Sequence, residues 1–312
     1  MRHLNILHLK YAVEVARCGS INKAAEVLLM NQPNLSRAIR ELEDSLGTKI
    51  FSRSAKGMEL TADGEIFLQY AKKILSQVDE VETVFKKSHS ARKHFSVSVP
   101  RATYISSAFA HFSAIIGSDC DAELRYEETN SQNTIKHVLD GDCRLGIVRY
   151  PESSDKFYKS MLDDKGIAFE MLGEFEYRLL FSADSPLEKK ENITYSDLEE
   201  FTEVAHSDPF VPSLSFAEAK KEELPENRRC RILISERSSQ FDILSQNPMT
   251  YMWATPVGKK LESAYGLVTK PCPENKVKYK DVIIRMKDYR MTELDSAFIA
   301  ELCRTKREFF AE

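Results

Sequence analysis

The stretch 31–47, NQPNLSRAIRELEDSLG, holds the residues whose types and spacing point most clearly to chemistry. Pro33 has no backbone N–H and suits a first helical turn, and Gly47 suits a left-handed stop. The spacing therefore predicts a helix from about Gln32 to Gly47. At about 100° per residue, Leu35, Ile39, Leu42 and Leu46 form one narrow apolar stripe. Pro33, Asn34, Arg37 and Arg40 fall opposite it, with Ser36 at the edge and Gln32 leading the helix. Glu41 and Asp44 share that side in the later turns. Bases thus precede acids, which opposes the helix macrodipole unless an anion waits at the N-terminus. Amide and guanidinium groups at such a helix end can hydrogen-bond to phosphates and base edges.

No other chemistry is as well defined. The chain has no G-x-S-x-G elbow, no G-x-x-x-x-G-K loop and no G-x-G-x-x-G turn, and only 11 glycines in 312 residues. Those absences argue against an enzyme and against a nucleotide-binding loop. Cys18, Cys120, Cys143, Cys230, Cys272 and Cys303 are scattered, with no C-x-x-C and no histidine at metal spacing. They are expected to be reduced, mostly structural thiols, with no metal and no cofactor.

The elements that must position the polar helix precede and follow it. NILHLKYAVEVARCG predicts a buried helix stopped at Gly19. Ser20 caps a second helix that carries Lys23 and the small pair Ala24-Ala25. Two helices with a short break, the second led by polar residues, form a helix-turn-helix pattern. Ile50-Phe51 and Met58/Leu60 bracket Lys56-Gly57 as a strand–turn–strand wing, with Arg53 and Lys56 suited to a phosphate backbone. Residues 1–60 hold nine Lys and Arg against six Asp and Glu. The whole chain has a net charge of −4, so a modestly basic head sits on an acidic body.

From Thr61 a long helix is expected to about Ser88. Phe67, Ala71, Ile74, Val78, Val81 and Phe85 recur at heptad spacing along it and predict a dimerising seam. From about residue 93, strands alternate with helices: HFSVSV, AELRYEE, RLGIVRY, IAFEML, YRLLFS, CRILIS, MTYMWATP and YKDVIIRM read as strands. That alternation predicts parallel sheets with crossover helices. Such sheets bind ligands beyond the carboxyl ends of their strands. Strand ends and helix starts nominate Arg101, Thr103, Tyr104, Thr129, Asn130, Arg149, Tyr150, His206 and Trp253. Arg101, Arg149 and the helix N-termini favour an anionic ligand. No apolar run is long enough to span a membrane, and the N-terminus lacks a signal-peptide pattern; the expected location is cytoplasmic.

Residues 4–67 resemble the head of LysR-type transcriptional regulators. The resemblance rests on Gly19-Ser20, Ala24-Ala25, QP.LSR.I..LE..LG at 32–47, and Phe51, Arg53, Gly57, Leu60, Thr61, Gly64 and Phe67. Departures are Asn31, Asn34, Ile50 and Asp63, and Asn34 lies on the groove-facing side. The resemblance implies an α/β protein with three parts. These are an all-α winged helix-turn-helix head (1–60), a linker helix (61–89) and a two-lobed, periplasmic-binding-protein-like effector domain (93–312). Lobe I is expected at about 93–164 and 269–312, lobe II at 165–268. It also implies a homodimer or homotetramer on double-stranded DNA, a small-molecule effector in the cleft, and RNA polymerase as a possible partner. In LSQNPMTYMWATP the chain lacks the glycines usual in the family. The rival reading is a DNA-bound architectural protein that takes no ligand.

Overall fold

The computed structural model describes residues 4–54, 57–85, 93–116, 121–207 and 230–311. Lys56, Cys120, residues 86–89 of the expected linker, and the side chains of Arg53 and Phe85 lie outside the described residues. The chain divides into two compact units, a head and a body. Among the described residues, no helix is long and apolar enough to cross a membrane.

The head contains α1 (Ile6–Cys18), α2 (Ile21–Val27), α3 (Gln32–Leu46), β1 (Phe51–Ser54), β2 (Gly57–Leu60) and α4 (Ala62–Phe85). Asn5 caps α1, Gly19 ends it at φ 60°, and Ser20 caps α2. Gly47 closes α3 at φ 73°, a conformation that costs glycine little. Leu9, Ala12, Val15, Ala24, Ala25, Leu35, Ile39 and Leu42 are buried, and most of them meet Ile50 and Phe51 in one core. Leu46, expected in the same stripe, is 37% exposed, because the last turn of α3 runs past that core.

Three close approaches hold the wing against the helices. Met58 N donates to Gly19 O at 3.0 Å, and a Cβ on Gly57 (φ 121°) would stand 2.7 Å from that same carbonyl oxygen. A Cβ on Gly64 would stand 2.1 Å from Ile50 O. Thr61 Oγ1 donates to Lys49 O at 2.6 Å and accepts from Gly64 N at 2.9 Å, so it caps α4 and grips the wing together. Glu43 is buried, and its Oε1 accepts from the N–H groups of Ile50 and Phe51 at 3.0 and 3.2 Å. Lys49 takes its other oxygen at 2.7 Å.

The heptad seam of α4 is divided by this packing. Phe67 is half-buried and packs against the head core, and Ala71 is buried. Ile74 and Val78 are half-buried and Val81 is exposed. Two apolar residues outside the predicted seam, Ile66 and Tyr70, are 57% and 64% exposed.

The body has two five-stranded sheets. Lobe I is built on β3 (Lys93–Val99), β4 (Ala122–Glu128), β5 (Leu145–Pro151), β6 (Ile167–Glu176) and β12 (Lys278–Met286), in the order β4-β3-β5-β12-β6. Helices α5 (Thr103–Ile116), α6 (Ser131–Leu139) and α7 (Asp155–Asp164) connect its strands, and α11 (Glu293–Phe310) packs on α5. Lobe II is built on β7 (Arg178–Ser182), β8 (Thr202–His206), β9 (Arg231–Ile234), β10 (Thr250–Ala254) and β11 (Leu267–Lys270), in the order β11-β7-β10-β8-β9. Its helices are α8 (Tyr195–Leu198), α9 (Arg237–Gln246) and α10 (Lys259–Tyr265).

Two expectations are corrected. The sheets are mixed: β12 runs antiparallel to β5 and β6, and β7 antiparallel to β10 and β11. A strand that returns from the other lobe is free of the crossover rule that makes successive strands parallel. Residues 167–176, expected in lobe II, pair with β12 and belong to lobe I, so the first crossing falls at Tyr177 rather than near 165. The return crossing lies between β11 and β12, at 271–277. The strands β8 and β11 and the helix α7 carry little periodicity and were not among the predicted elements.

Replacing Gly64 by Ala should lower the stability of the head by about 1–3 kcal/mol, the usual cost of forcing atoms into a filled contact. The exposed neighbour Glu65→Ala should change it by no more than about 0.5 kcal/mol. Urea unfolding followed by helical circular dichroism checks both, and equal midpoints for the two variants would contradict the contact.

Candidate functional site

The head presents one polar helix end. On α3, Gln32, Pro33, Asn34, Arg37 and Arg40 are exposed and Ser36 is half-buried. The buried Leu35, Ala38, Ile39, Leu42 and Glu43 occupy the other side. Asn31 begins α3 without a side-chain cap, and there is no acid in its first turn. Gln32 and Asn34 lie in the first turn, Arg37 in the second and Arg40 in the third, all on the exposed side of the helix. Ser20 is half-buried and occupied as a cap, accepting from Lys23 N at 3.5 Å, while the Lys23 side chain is exposed. The Arg53 backbone pairs with Met58 in the wing.

The body holds a cleft of about 180 Å³ between its two sheets. Of the residues nominated from sequence, Arg101, Thr103, Thr129, Asn130, Arg149, His206 and Trp253 line it together. Tyr104 and Tyr150 do not. Tyr104 is buried under the cleft floor, and Tyr150 stacks on Tyr158 at 4.2 Å with its hydroxyl on Asp155 Oδ1 at 3.1 Å. Both sit on the core-facing side of their elements, a choice that strand-end position alone cannot make.

Arg149 is 2% exposed and bound to Asp281 on two sides: Nε donates to Oδ1 at 2.7 Å and the second guanidinium nitrogen to Oδ2 at 2.6 Å. Asp281 faces Arg149 across the β5–β12 ladder, so strand register brings the pair together. The Tyr104 hydroxyl also donates to Asp281 Oδ2, at 2.5 Å. Burial, and then the Asp281 charge, push that hydroxyl well above the ordinary tyrosine range, which keeps it a donor. Burial opposes the charge on Arg149 most strongly, but the charge and hydrogen bonds of Asp281, with Tyr177 and Tyr104, together outweigh it and hold the guanidinium protonated. Phe175 lies 4.6 Å beneath the guanidinium and Tyr177 lies 5.8 Å away at the first crossing.

The expectation that Arg149 supplies free positive charge is therefore corrected. Two further arginines that sequence position did not nominate also line the cleft with acidic partners: Arg231 with Glu203 at 3.0 Å, and Arg237 with Glu128 at 2.5 Å. Arg237 opens α9 in lobe II and reaches Thr103 Oγ1 at 2.9 Å and Ser106 Oγ at 3.1 Å in lobe I. It is a latch across the cleft. Arg101 also lines the cleft, its Nη2 donating to Ser235 O at 3.4 Å, and α5, α6 and α9 turn their first residues, Thr103, Ser131 and Arg237, into it. The Trp253 indole N–H is buried at the wall and meets no acceptor among the described residues.

The head is thus a glycine-locked winged helix-turn-helix, and the body has two α/β lobes with a cleft between them. Residues 6–65 match the family described as bacterial regulatory helix-turn-helix protein, lysR family. The HTH-type transcriptional regulator YofA of Bacillus subtilis is 31% identical over 132 residues, 42% of this chain and 46% of that protein. The chain spans about half the length of such curated relatives. A full-length OxyR from Pseudomonas aeruginosa shares the fold at TM-score 0.64 and 18% identity, over 99% of this chain and 96% of that one. Full-length CbnR complexed with its target DNA shares it at TM-score 0.56 and 19% identity, over 97% and 100%. The family match covers the head alone, residues 6–65, and the body resembles the solved regulators in fold. The chain's named relatives are transcriptional regulators, not enzymes.

Asp281→Asn should destabilise the body by about 3–5 kcal/mol, because it leaves a buried guanidinium without its counter-charge. Arg149→Met with Asp281→Leu, which removes both charges, should cost less than the single change. The check is the urea midpoint of each full-length variant; a double variant weaker than the single would contradict the assignment.

Proposed function

We propose that this chain is a sequence-specific DNA-binding transcription regulator governed by a small anionic effector in the interlobe cleft. The observation that carries the DNA reading is the first half of α3: an uncapped helix N-terminus with exposed Gln32, Asn34, Arg37 and Arg40 and no acid in its first turn. Such a helix enters the major groove by its N-terminal residues. Lys23 and the wing residues Arg53 and Lys56 would add phosphate contacts. Family members read paired half-sites, so the chain acts as a homodimer, or as a tetramer built from two dimers. Apolar residues left uncovered on α4, Ile66, Tyr70 and Val81, support a helix-to-helix contact. The cytoplasm is the compartment such a regulator works in, and RNA polymerase is the partner it would engage once bound.

Effector control rests on the cleft. The α5, α6 and α9 N-termini favour a carboxylate or similar anion, the Trp253 N–H supplies a donor, and Arg237 already joins the lobes. A ligand that changes the Arg237 contacts would shift the balance between lobe arrangements.

Footprinting on the DNA upstream of the coding sequence tests the head. Wild type should give a salt-sensitive, sequence-selective footprint, and Arg37→Ala should weaken binding and lower the salt slope by about 1 if it holds a phosphate. Asn34→Ala should relax one base position at about 1–3 kcal/mol. A footprint without sequence preference would refute the reading.

Trp253 is the chain's one tryptophan, so its emission reports the cleft directly. In a panel of small carboxylic and amino acids, the effector should raise the melting temperature and shift that emission together. If no compound moves either signal, the chain is the ligand-free architectural protein of the rival reading.

A further inference from the structure

Three side chains of lobe I converge outside the lining of the cleft. Glu127 in β4, His137 in the last turn of α6 and Cys143 just before β5 each bring one ligand-type atom within 4.8 Å of the others. The His137 ring is held from two sides: Nε2 lies 3.6 Å from Glu127 Oε1, and Nδ1 lies 3.1 Å from Ser98 Oγ. Ser98 is fully buried, and its hydroxyl also meets Thr134 Oγ1 at 3.1 Å. Ser98 and Glu127 are register partners on β3 and β4, so the sheet sets their separation. Cys143 is a buried, reduced thiol whose backbone N–H donates to His137 O at 3.1 Å, which returns the sulfur beside the imidazole.

We propose that Glu127, His137 and Cys143 form a binding site for one zinc-class divalent cation, with water as the fourth ligand. The donor set decides the class. One thiolate, one imidazole and one carboxylate suit a borderline-soft tetrahedral ion, whereas calcium and magnesium require oxygen cages. The surroundings match those of a ligating histidine. An N–H at Nδ1 donating to Ser98 Oγ leaves the Nε2 lone pair aimed at the ion, the outer-shell arrangement that fixes tautomer and ring orientation. Arg125 takes Glu127 Oε2 at 2.7 Å, so Oε1 is the oxygen turned toward the imidazole. Metal entry displaces the thiol proton of Cys143 to solvent, leaving a thiolate. Glu127 and Glu128 are consecutive on β4 and point to opposite faces of the sheet. The ion would therefore sit behind the carboxylate that holds the Arg237 latch. Linear spacing hides this site, because Glu127 comes from a neighbouring strand and His137 and Cys143 are six residues apart.

The test uses the full chain, tag-free and stripped with a chelator, titrated with Co²⁺ and then Zn²⁺. One equivalent of Co²⁺ should produce a thiolate-to-cobalt charge-transfer band and tetrahedral visible bands, and Zn²⁺ should bleach both. Cys143→Ser should abolish the charge-transfer band, while Cys230→Ser, which alters an exposed thiol, should keep it. His137→Gln replaces a partly exposed ring and should weaken Co²⁺ binding by tenfold or more, which decides the matter even if Cys143→Ser does not fold. Absence of the band in wild type, its loss in Cys230→Ser, or unchanged affinity in His137→Gln would overturn the site.

Discussion

The buried pair Arg149–Asp281 is the interaction on which the body's arrangement depends. It ties β5 to the strand that returns from lobe II, accepts the hydroxyl of Tyr104 from α5, and stacks Arg149 on Phe175 just before the first crossing. An unpaired charge at 1–2% exposure would be costly, so each member requires the other. The pair therefore constrains where β12 must lie, and with it where the two lobes meet. A guanidinium spent in this way is part of the cleft's floor and not a hand held out to a ligand.

The head obeys a different constraint, the close approach of backbones. Gly57 and Gly64 stand where a Cβ would collide with a carbonyl oxygen, and Thr61 and Glu43 satisfy the polar groups that those approaches bring together. This locks the wing behind α3. In the first turns of α3 the side opposite Leu35 and Ile39 is left free of packing duty, and it carries the residues proposed to face the groove. On α4 the same economy separates Phe67 and Ala71, which serve the head, from Ile66, Tyr70 and Val81, which do not.

Cleft chemistry follows from pairing as well. Three of the four arginines at its wall, Arg149, Arg231 and Arg237, are each matched to a carboxylate, so any preference for an anion draws on Arg101, helix ends and neutral donors. Arg237 shows how such pairing can also be mechanical, since its partners lie on the opposite lobe. A strand-end rule could nominate Thr103, Thr129 and Trp253, but it could not find a side chain that reaches across from a helix start in the other lobe.

Local pattern determined the head almost completely. Helix starts and stops at Ser20, Gln32, Gly19 and Gly47, the stripe through Leu35, Ile39 and Leu42, and the wing at 51–60 are set by residues within a few positions of one another. Strand and helix alternation likewise announced most of the body. Tertiary structure alone decided the antiparallel return of β12, the place of residues 167–176 in lobe I, and the burial of Tyr104 and Tyr150. It also decided the partner of Arg149 and the meeting of Glu127, His137 and Cys143. Each of these depends on contacts between residues far apart in the chain, and such contacts are chosen by sheet register and burial, which no local period encodes.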